Sequence, residues 1–417
     1  MQHFTQRGAP EDKALRSSTP APVLVLGAGA MGTGIAQIAA THGHTTYLYD
    51  THGQALARAR TTLNKVLGRQ VDKGRITRTE ADAALARVQA VDELTPRLAG
   101  AFLAVEAVVE DLATKQQLFR QLEELLDDDS LLATNTSSLS VTAIASACRQ
   151  PGRVVGLHFF NPAPVMALVE VVSALQTDRH AADRARALVA GWGKTAVRVA
   201  DTPGFIVNRV ARPFYGEALR LLEEGVADEA TIDWAMRDIG GFRMGPFELM
   251  DFIGNDVNLA ATQSVYAALY QDSRFKPFLR QQRLVEAGFL GRKSGRGHYR
   301  YDDAGRPVDM PSPKRDPQAG RSIVDRIVAM LINTAADAVL LGVASPESVD
   351  LAMTKGVNYP KGLLAWADEI GIDRVVQRLR AIADEYGEER YRPCVLLTRM
   401  AKTGARFFGH VGDGSER

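Results

Sequence analysis

A glycine-rich turn near the amino end constrains the fold of this chain more than any other feature. Gly27, Gly29 and Gly32 have the spacing G-x-G-x-x-G, directly after the apolar run PVLVLG and before a helical pattern. The next predicted strand, residues 46–50, ends on Asp50, 18 positions after Gly32. A strand, a turn of this spacing, a helix and a second strand with a terminal carboxylate are typical of the start of a doubly wound parallel sheet.

The three glycines have separate physical roles in such a turn. The first permits the tight turn, the second lets the backbone approach a pyrophosphate, and the third allows the helix to pack against the sheet. The helix begins near Ala30 and Met31, where free N–H groups and the positive end of the helix dipole favour phosphates. Asp50 would bind the adenosine ribose hydroxyls and repel a 2′-phosphate. The pattern therefore predicts a dinucleotide site that prefers NAD to NADP.

The pattern of apolar runs divides the chain. From residue 22 to 199, short apolar runs alternate with helical stretches, which predicts a mostly parallel sheet with helices on its faces. A long polar helical segment, residues 54–87, interrupts this rhythm and is expected to project. We predict a flexible tail over residues 1–21 and an α/β domain over residues 22–200, with a boundary at the DTPGF sequence that starts at Asp201.

The helical remainder contains an internal repeat. At a constant offset of 117, residues 225–256 match residues 342–373 at eleven of 32 positions. The sequence thus predicts a helical domain over residues 201–301, an exposed linker rich in Pro, Gly and charge over residues 302–320, and a second helical copy over residues 321–410.

Charge and cysteine content exclude several classes of protein. Lys and Arg total 50 against 49 Asp and Glu, which leaves no basic field for nucleic acid. No apolar run is long enough for a bilayer and no secretory signal core is present, so we expect a cytoplasmic protein without a membrane partner. Cys148 and Cys394 are isolated, as in a reducing compartment. His42 and His44 lack a Cys or acidic partner, so we expect no metal site.

Three short motifs are predicted at strand ends, where open parallel sheets bind their ligands. They are NTSS at residues 135–138, GLHFFNP at 156–162 and LVEVV at 168–172. Oxidation of a hydroxyl requires a base near neutrality, which suits His158, and Glu170 could fix the histidine tautomer. From the residues alone, two other interpretations remain open: His158 could be a hydrogen-bonded core histidine, and Glu170 an ordinary carboxylate on a strand face.

Seven stretches together resemble the 3-hydroxyacyl-coenzyme A dehydrogenase family. In chain order they are GAGAMGTGIAQ, VVED, NTSSLS, GLHFFNP, LVEVV, TPGFIVNR and MGPFELMD, and they span about 280 residues. The resemblance implies an α/β Rossmann-type NAD-binding domain followed by two tandem all-α domains of the family's C-terminal type. It also implies oxidation of an (S)-3-hydroxyacyl-CoA to a 3-oxoacyl-CoA with NAD, in fatty-acid or aromatic-acid catabolism.

The resemblance also implies roles for individual residues. His158 would be the base and Glu170 its partner, while Ser137 and Asn208 would hydrogen-bond the reacting oxygen. Lys73 is a candidate for the coenzyme A phosphates. The further positions implied to contact the cofactor are Glu110, Lys115, Asn161 and Lys293.

The second helical copy departs from the simplest members of the family. At the repeat offset Asn208 falls on Asp325, and no TPGF precedes it. We interpret this copy as a scaffold that takes the place of a partner subunit, in a chain that could itself form a homo-oligomer.

Two arginines bear on the acyl tail. Arg212 follows Asn208 by one helical turn, and Arg243 stands where simple fatty-acyl members often have Pro. One interpretation has both solvated or paired with carboxylates such as Glu217 or Glu248. The other has one or both binding a terminal carboxylate, as in members of the family that oxidise 3-hydroxyadipyl-CoA rather than 3-hydroxybutyryl-CoA.

Two further functions are compatible with the same fold. One is a non-catalytic binding or structural protein, as the lens crystallins of this family suggest. The other is a dehydrogenase of a free sugar acid, like the family's gulonate dehydrogenases. The presence of Ser137, His158, Glu170 and Asn208 together argues against a non-catalytic role.

Overall fold

The computed structural model describes residues 20–409 of the chain. The predicted tail lies outside this range except for its last two residues. The described residues form two compact units, one of residues 20–109 and 121–130, the other of residues 110–120 and 131–409. This division differs from the predicted boundary at residue 200, because the later strands of the α/β region pack against helices that follow them in the chain.

The first unit contains four parallel strands in the order β3-β2-β1-β4. Its strand β1 is central and completely buried, which explains why it reads as a continuous apolar run. The predicted parallel sheet is confirmed here. In chain order its elements are β1 (Val23–Leu26), α1 (Ala30–Thr41), β2 (Thr46–Tyr49), α2 (Gly53–Asp72), α3 (Arg78–Arg87), β3 (Val88–Val91) and β4 (Leu103–Glu106).

The polar segment over residues 54–87 is two helices rather than one. A turn separates α2 from α3, which begins with a capping box in which Thr77 and Glu80 satisfy each other's backbone N–H groups. Leu67 of α2 packs with Ala81 and Ala84 of α3. The helical pair therefore has a small apolar core of its own.

The second unit contains strands β5 to β8. Strands β5 and β6 pair in parallel, β6 and β7 antiparallel, and β7 and β8 in parallel. The antiparallel pair places His158 directly opposite Glu170. The elements of this stretch are α4 (Leu112–Leu125), β5 (Leu131–Thr134), α5 (Val141–Ala145), β6 (Val154–Phe159), β7 (Leu168–Ser173), α6 (Arg179–Gly191) and β8 (Thr195–Ala200).

The rest of the second unit is almost entirely helical. Its elements are α7 (Val207–Val210), α8 (Arg212–Glu223), α9 (Glu229–Trp234), α10 (Pro246–Ile253), α11 (Asn255–Ala268), α12 (Leu279–Glu286), a short hairpin of β9 (Arg300–Tyr301) and β10 (Pro307–Val308), α13 (Pro317–Leu340), α14 (Pro346–Gly356), α15 (Leu363–Ile370), α16 (Ile372–Tyr386) and α17 (Val395–Thr403). Helix α13 begins inside the predicted linker, because Asp316 caps it and Pro317 suits its first position. Within residues 20–409, no helix is long and apolar enough to cross a membrane.

The two helical copies have the same internal construction. Asp233 accepts hydrogen bonds from the backbone N–H groups of the second and third residues of α10, at 2.9 and 3.0 Å. Asp350, its counterpart at the 117 offset, does the same for α15 at 2.9 Å in both cases. Gly245 and Gly362 precede these helices and leave no room for a side chain against the capping carboxylate. The duplication predicted from the sequence is confirmed.

Candidate active site

In the glycine-rich turn, the space available for a Cβ atom shows which glycines the fold itself requires. Gly27 has φ of 101°, and a Cβ there would lie 2.5 Å from the carbonyl oxygen of Ala107. A Cβ on Gly32 would overlap the carbonyl oxygen of Gly27. A Cβ on Gly29 would meet no protein atom within 4 Å. The fold therefore requires the first and third glycines, whereas the second leaves open space beside the turn for a ligand.

Asp50 is tied to the same turn. Its carboxylate accepts hydrogen bonds from the backbone N–H groups of Ala28, at 2.8 Å, and His52, at 2.9 Å. Helix α1 has neither a side-chain cap nor an acidic residue in its first turn. The first unit therefore presents uncapped N–H groups for phosphate and, beside them, a carboxylate for a ribose.

His158 and Glu170 form a buried pair. The distance from His158 Nδ1 to Glu170 Oε2 is 2.6 Å, and the side chains are 8% and 0% exposed. Because a carboxylate accepts and does not donate, the Nδ1–H donates to it, which leaves Nε2 as the proton acceptor. The pair thus has the geometry of a base held in a single tautomer.

The second oxygen of Glu170 determines where α7 begins. Oε1 accepts hydrogen bonds from the backbone N–H groups of Ile206 and Val207, both at 3.0 Å. One carboxylate therefore positions both the histidine and the short helix that carries Asn208. Sequence reasoning missed this link, although TPGF just before α7 already marked a helix start.

Two phenylalanines flank the histidine ring. The ring centroids of Phe160 and Phe205 lie 4.5 and 5.6 Å from that of His158. The ring of His158 is thus packed between two aromatic side chains, which adds to the constraint that Glu170 places on its orientation.

Ser137 belongs to a loop held by Glu110. The carboxylate of Glu110 accepts hydrogen bonds from the hydroxyls of Thr136 and Ser138 and from the backbone N–H of Ser137. Its other oxygen lies 3.2 Å from Nζ of the buried Lys115. Partial burial would raise the pKa of Glu110, but these hydrogen bonds and the lysine charge outweigh it, and the pKa lies below its ordinary value. The structure thus gives Glu110 a loop-ordering contact that the sequence did not indicate.

Two more side chains connect the motifs to one another. The Asn135 side-chain oxygen accepts a hydrogen bond from the backbone N–H of Phe159 at 2.9 Å, which joins the NTSS loop to the end of β6. Asp201 accepts hydrogen bonds from the Ser140 hydroxyl and the Thr142 N–H. The loop that carries Ser137 is therefore fastened on both sides.

The other predicted contacts differ in how available they are. Asn208 is half-buried on α7, and in the described part of the chain its side chain has no hydrogen-bond partner. Asn161 is exposed just after β6. Lys293 is half-exposed and bound to Asp256, with 2.6 Å between Nζ and Oδ1. Lys73 is exposed at the carboxyl end of α2.

Arg243 has the solvated environment that one interpretation predicted, whereas pairing of Arg212 or Arg243 with Glu217 or Glu248 was wrong. Arg243 is exposed, and Glu248 binds Arg237 instead. Glu217 binds two arginines of the second helical copy, Arg326 and Arg390.

Arg212 is neither solvated nor paired with a helix carboxylate. It is 7% exposed and donates to the Asn258 carbonyl at 3.3 Å and to the Thr262 hydroxyl at 3.1 Å. The two arginines therefore have different environments: Arg243 is exposed, whereas Arg212 is a buried cation.

Comparison with known proteins gives matches over nearly the whole described chain. The family model described as the NAD binding domain of 3-hydroxyacyl-CoA dehydrogenase matches residues 22–202. The model of its C-terminal domain matches twice, at residues 204–301 and 323–407. This double match agrees with the duplication seen in the structure.

Individual relatives carry related names. The 3-hydroxyadipyl-CoA dehydrogenase of Escherichia coli K12 is 41% identical, over 91% of this chain and 97% of the relative. The probable 3-hydroxybutyryl-CoA dehydrogenase of Bacillus subtilis 168 is 40% identical, over 67% of this chain and 97% of the relative. The crystal structure of 3-hydroxybutyryl-CoA dehydrogenase from E. coli K12 matches with a TM-score of 0.86 and 40% identity, over 92% of this chain and 98% of that one.

The matched region includes the glycine-rich turn and Asp50 of the first unit and the buried His158–Glu170 pair of the second. The chain therefore belongs to the 3-hydroxyacyl-CoA dehydrogenase family and is an NAD-dependent oxidoreductase.

Proposed function

We propose that this dehydrogenase uses Nε2 of His158 to take the proton from the 3-hydroxyl of the acyl thioester. NAD, when bound, accepts the hydride from C3. The observation that carries this proposal is the 2.6 Å contact between His158 Nδ1 and Glu170, because it leaves Nε2 unprotonated and aimed away from the carboxylate. Glu170 acts through the histidine, as a positioning residue.

Ser137 and Asn208 are proposed to bind the reacting oxygen. A hydroxyl can donate or accept, and an amide N–H can polarise the ketone in the reverse reaction. Two observations support this. The Ser137 side chain is exposed on a loop that Glu110 holds in place, and the Asn208 amide has no partner among the described residues. Both groups are thus free to engage a substrate.

For the cofactor, we propose contacts from the glycine-rich turn, Asp50, Glu110, Lys115, Asn161 and Lys293, and for the coenzyme A phosphates a contact from Lys73. These roles match the residue types and, for the turn and Asp50, the open space beside Gly29. Glu110 acts partly through the loop that carries Ser137.

We propose a substrate whose acyl chain ends in a carboxylate, such as 3-hydroxyadipyl-CoA. Two findings support it: the 41% identical relative is a 3-hydroxyadipyl-CoA dehydrogenase, and a buried arginine, Arg212, starts α8 four positions after Asn208. Arg243 is exposed and is not part of this proposal.

The test is a set of initial rates of NADH oxidation. The substrates are 3-oxoadipyl, 3-oxohexanoyl and acetoacetyl thioesters of coenzyme A, and free keto acids of the gulonate type. We expect thioester reduction and no turnover of free acids. Turnover of a free sugar acid alone would replace the proposal with the gulonate-type reaction.

Asp50 should determine the choice between NAD and NADP. Replacing Asp50 with Ser and Thr51 with Arg removes the carboxylate and adds a cation beside the ribose. We expect catalytic efficiency with NAD to fall by about tenfold to a hundredfold, since a charge-assisted hydrogen bond is worth roughly 1.5 to 3 kcal/mol, and efficiency with NADP to rise. Equal efficiency of the native enzyme with both cofactors would rule out this role for Asp50.

We also propose that the second helical copy covers a face of the first copy that would otherwise bind a partner subunit. The buried ion pairs from Glu217 of the first copy to Arg326 and Arg390 of the second support it. A cytoplasmic location is proposed as well, supported by Cys148 and Cys394, which are buried and form no disulfide within residues 20–409.

A further inference from the structure

Arg212 differs from other buried arginines of this protein. Arg209, Arg326 and Arg390 are each less than 10% exposed, and each binds a carboxylate. Arg212 is 7% exposed, and no carboxylate within the described residues lies at ion-pair distance from it. An uncompensated buried charge is destabilising. An anionic group of a bound ligand would compensate this charge.

One edge of the Arg212 guanidinium has no hydrogen-bond partner among the described residues. Nη1 donates both of its hydrogen bonds, to the Asn258 carbonyl and the Thr262 hydroxyl. Nε is buried without a partner, and Nη2 has none among the described residues. These two nitrogens form the edge that binds both oxygens of a carboxylate. The guanidinium carbon lies 5.0 Å from the centroid of the Tyr215 ring and makes a cation–π contact with it.

A second unpaired polar group comes from the second helical copy. Tyr359 is 5% exposed, and its hydroxyl is buried without a hydrogen-bond partner. Its ring centroid lies 5.7 Å from that of Phe214 and 5.0 Å from that of Phe242. Phe214 contacts the ring of Tyr215, which packs against Arg212, so the Tyr359 ring belongs to the same buried cluster. A buried hydroxyl that binds nothing is destabilising.

Arg212 and Tyr359 also influence each other electrostatically. Burial lowers the pKa of the Arg212 guanidinium, and the neighbouring Tyr215 and Tyr359 partly oppose that effect. Burial raises the pKa of Tyr359 well above its ordinary value, so the phenol keeps its proton and can donate it in a hydrogen bond.

The cluster adjoins the elements that carry the His158–Glu170 pair. Three residues before Tyr359, a Cβ on Gly356 would touch Leu168 of β7 and Val207 of α7. The N–H of Val207 is bound by Glu170. Arg212 is the first residue of α8 and follows Asn208 of α7 by four positions. In a six-carbon diacid, three carbon–carbon bonds separate C3 from the carbon of the far carboxylate.

We propose that Arg212 and Tyr359 together bind a carboxylate at the far end of the acyl chain, so that the second helical copy supplies a specificity-determining residue. This rests on the proposed thioester reaction. The carboxylate takes two hydrogen bonds from Nε and Nη2 of Arg212 and one from the Tyr359 hydroxyl. The second copy is then part of the substrate site, which a scaffold is not.

The experiment compares kcat/KM for 3-hydroxyadipyl-CoA and 3-hydroxyhexanoyl-CoA, which share chain length and differ in the terminal carboxylate. The native enzyme should prefer the charged substrate by about 10-fold to 100-fold. Tyr359→Phe should reduce that preference by about threefold to tenfold, through KM for the charged substrate. Arg212→Met should abolish the preference.

Tyr386→Phe is the matched control, because it removes a hydroxyl of the same copy that binds Glu224 and Arg326 instead. It should leave the preference intact. Equal use of both substrates by the native enzyme, or an unchanged preference in Tyr359→Phe, overturns the inference while the dehydrogenase reaction stands. If neither thioester is oxidised, the proposed reaction itself fails. Should Arg212→Met not fold, Tyr359→Phe still decides the matter.

Discussion

His158→Ala should lower kcat by about 100-fold to 10,000-fold, the range typical for loss of a general base. The 3-hydroxyl has a pKa far above neutrality, so its proton needs an acceptor as the hydride leaves C3. Nε2 of His158 is that acceptor, since Nδ1 is bound to Glu170. NAD binding should not change, because His158 is not among the residues proposed to contact the cofactor. Steady-state rates and fluorescence titration with NADH measure the two effects separately.

Glu170→Gln separates charge from shape in the same pair. A glutamine keeps one oxygen, which the N–H groups of Ile206 and Val207 require. Its amide nitrogen would then face Nδ1 and favour the wrong tautomer, as in the related change of a serine protease triad. We expect a loss of kcat approaching that of His158→Ala. His180→Ala, in an exposed histidine of α6, is the control. Near-normal kcat in His158→Ala would contradict the mechanism.

Local patterns predicted the parts of this protein that depend on local geometry. The spacing of Gly27, Gly29 and Gly32 was sufficient for the dinucleotide turn, because close backbone contacts exclude a Cβ at two of the three positions. The repeat offset matches Asp233 with Asp350, and the structure gives both the same role, capping the helix that follows. Such motifs can be predicted from the sequence because the contacts that define them lie within a few residues of each other or recur at a constant offset.

Contacts between distant parts of the chain could not be predicted in this way. No pattern near Glu110 indicates that it binds the loop around Ser137. No pattern near Tyr359 indicates that it lies in one cluster with Arg212. For Arg212 the sequence offered solvent, a helix carboxylate or a substrate carboxylate, and the structure excludes the first two. A sequence gives the charge of such a residue, but its partners depend on packing across more than a hundred positions.

The interface between the helical copies is both ionic and aromatic. Glu217, completely buried on α8, binds Arg326 and Arg390 of the second copy. Phe242 of the first copy contacts the rings of Tyr359 and Trp366 of the second. Such an interface resembles a domain core more than a docking surface between independent domains.

A point variant tests the ionic part of this interface. Glu217→Ala leaves two buried guanidinium groups without this carboxylate and should lower the free energy of unfolding by about 3 to 5 kcal/mol. Glu389→Ala, in an exposed pair with Arg392, should not measurably change the urea midpoint. A midpoint equally unaffected in Glu217→Ala would mean that the buried pairs do not stabilise the contact between the copies.

Truncation after Tyr301 removes the entire second copy and should destabilise the protein more than Glu217→Ala does. It uncovers the rings of Phe214, Phe242 and Trp234, each no more than 6% exposed in the full chain. An aromatic side chain buries roughly 150 to 250 Å², so three of them form a patch that soluble monomers rarely expose. The truncated chain should aggregate or associate with itself, which light scattering and size-exclusion chromatography would detect. It should also lose the preference for a carboxylate-terminated thioester, because Tyr359 is gone. A truncated chain that stayed monomeric, active and selective would show that the second copy neither covers this face nor completes the substrate site.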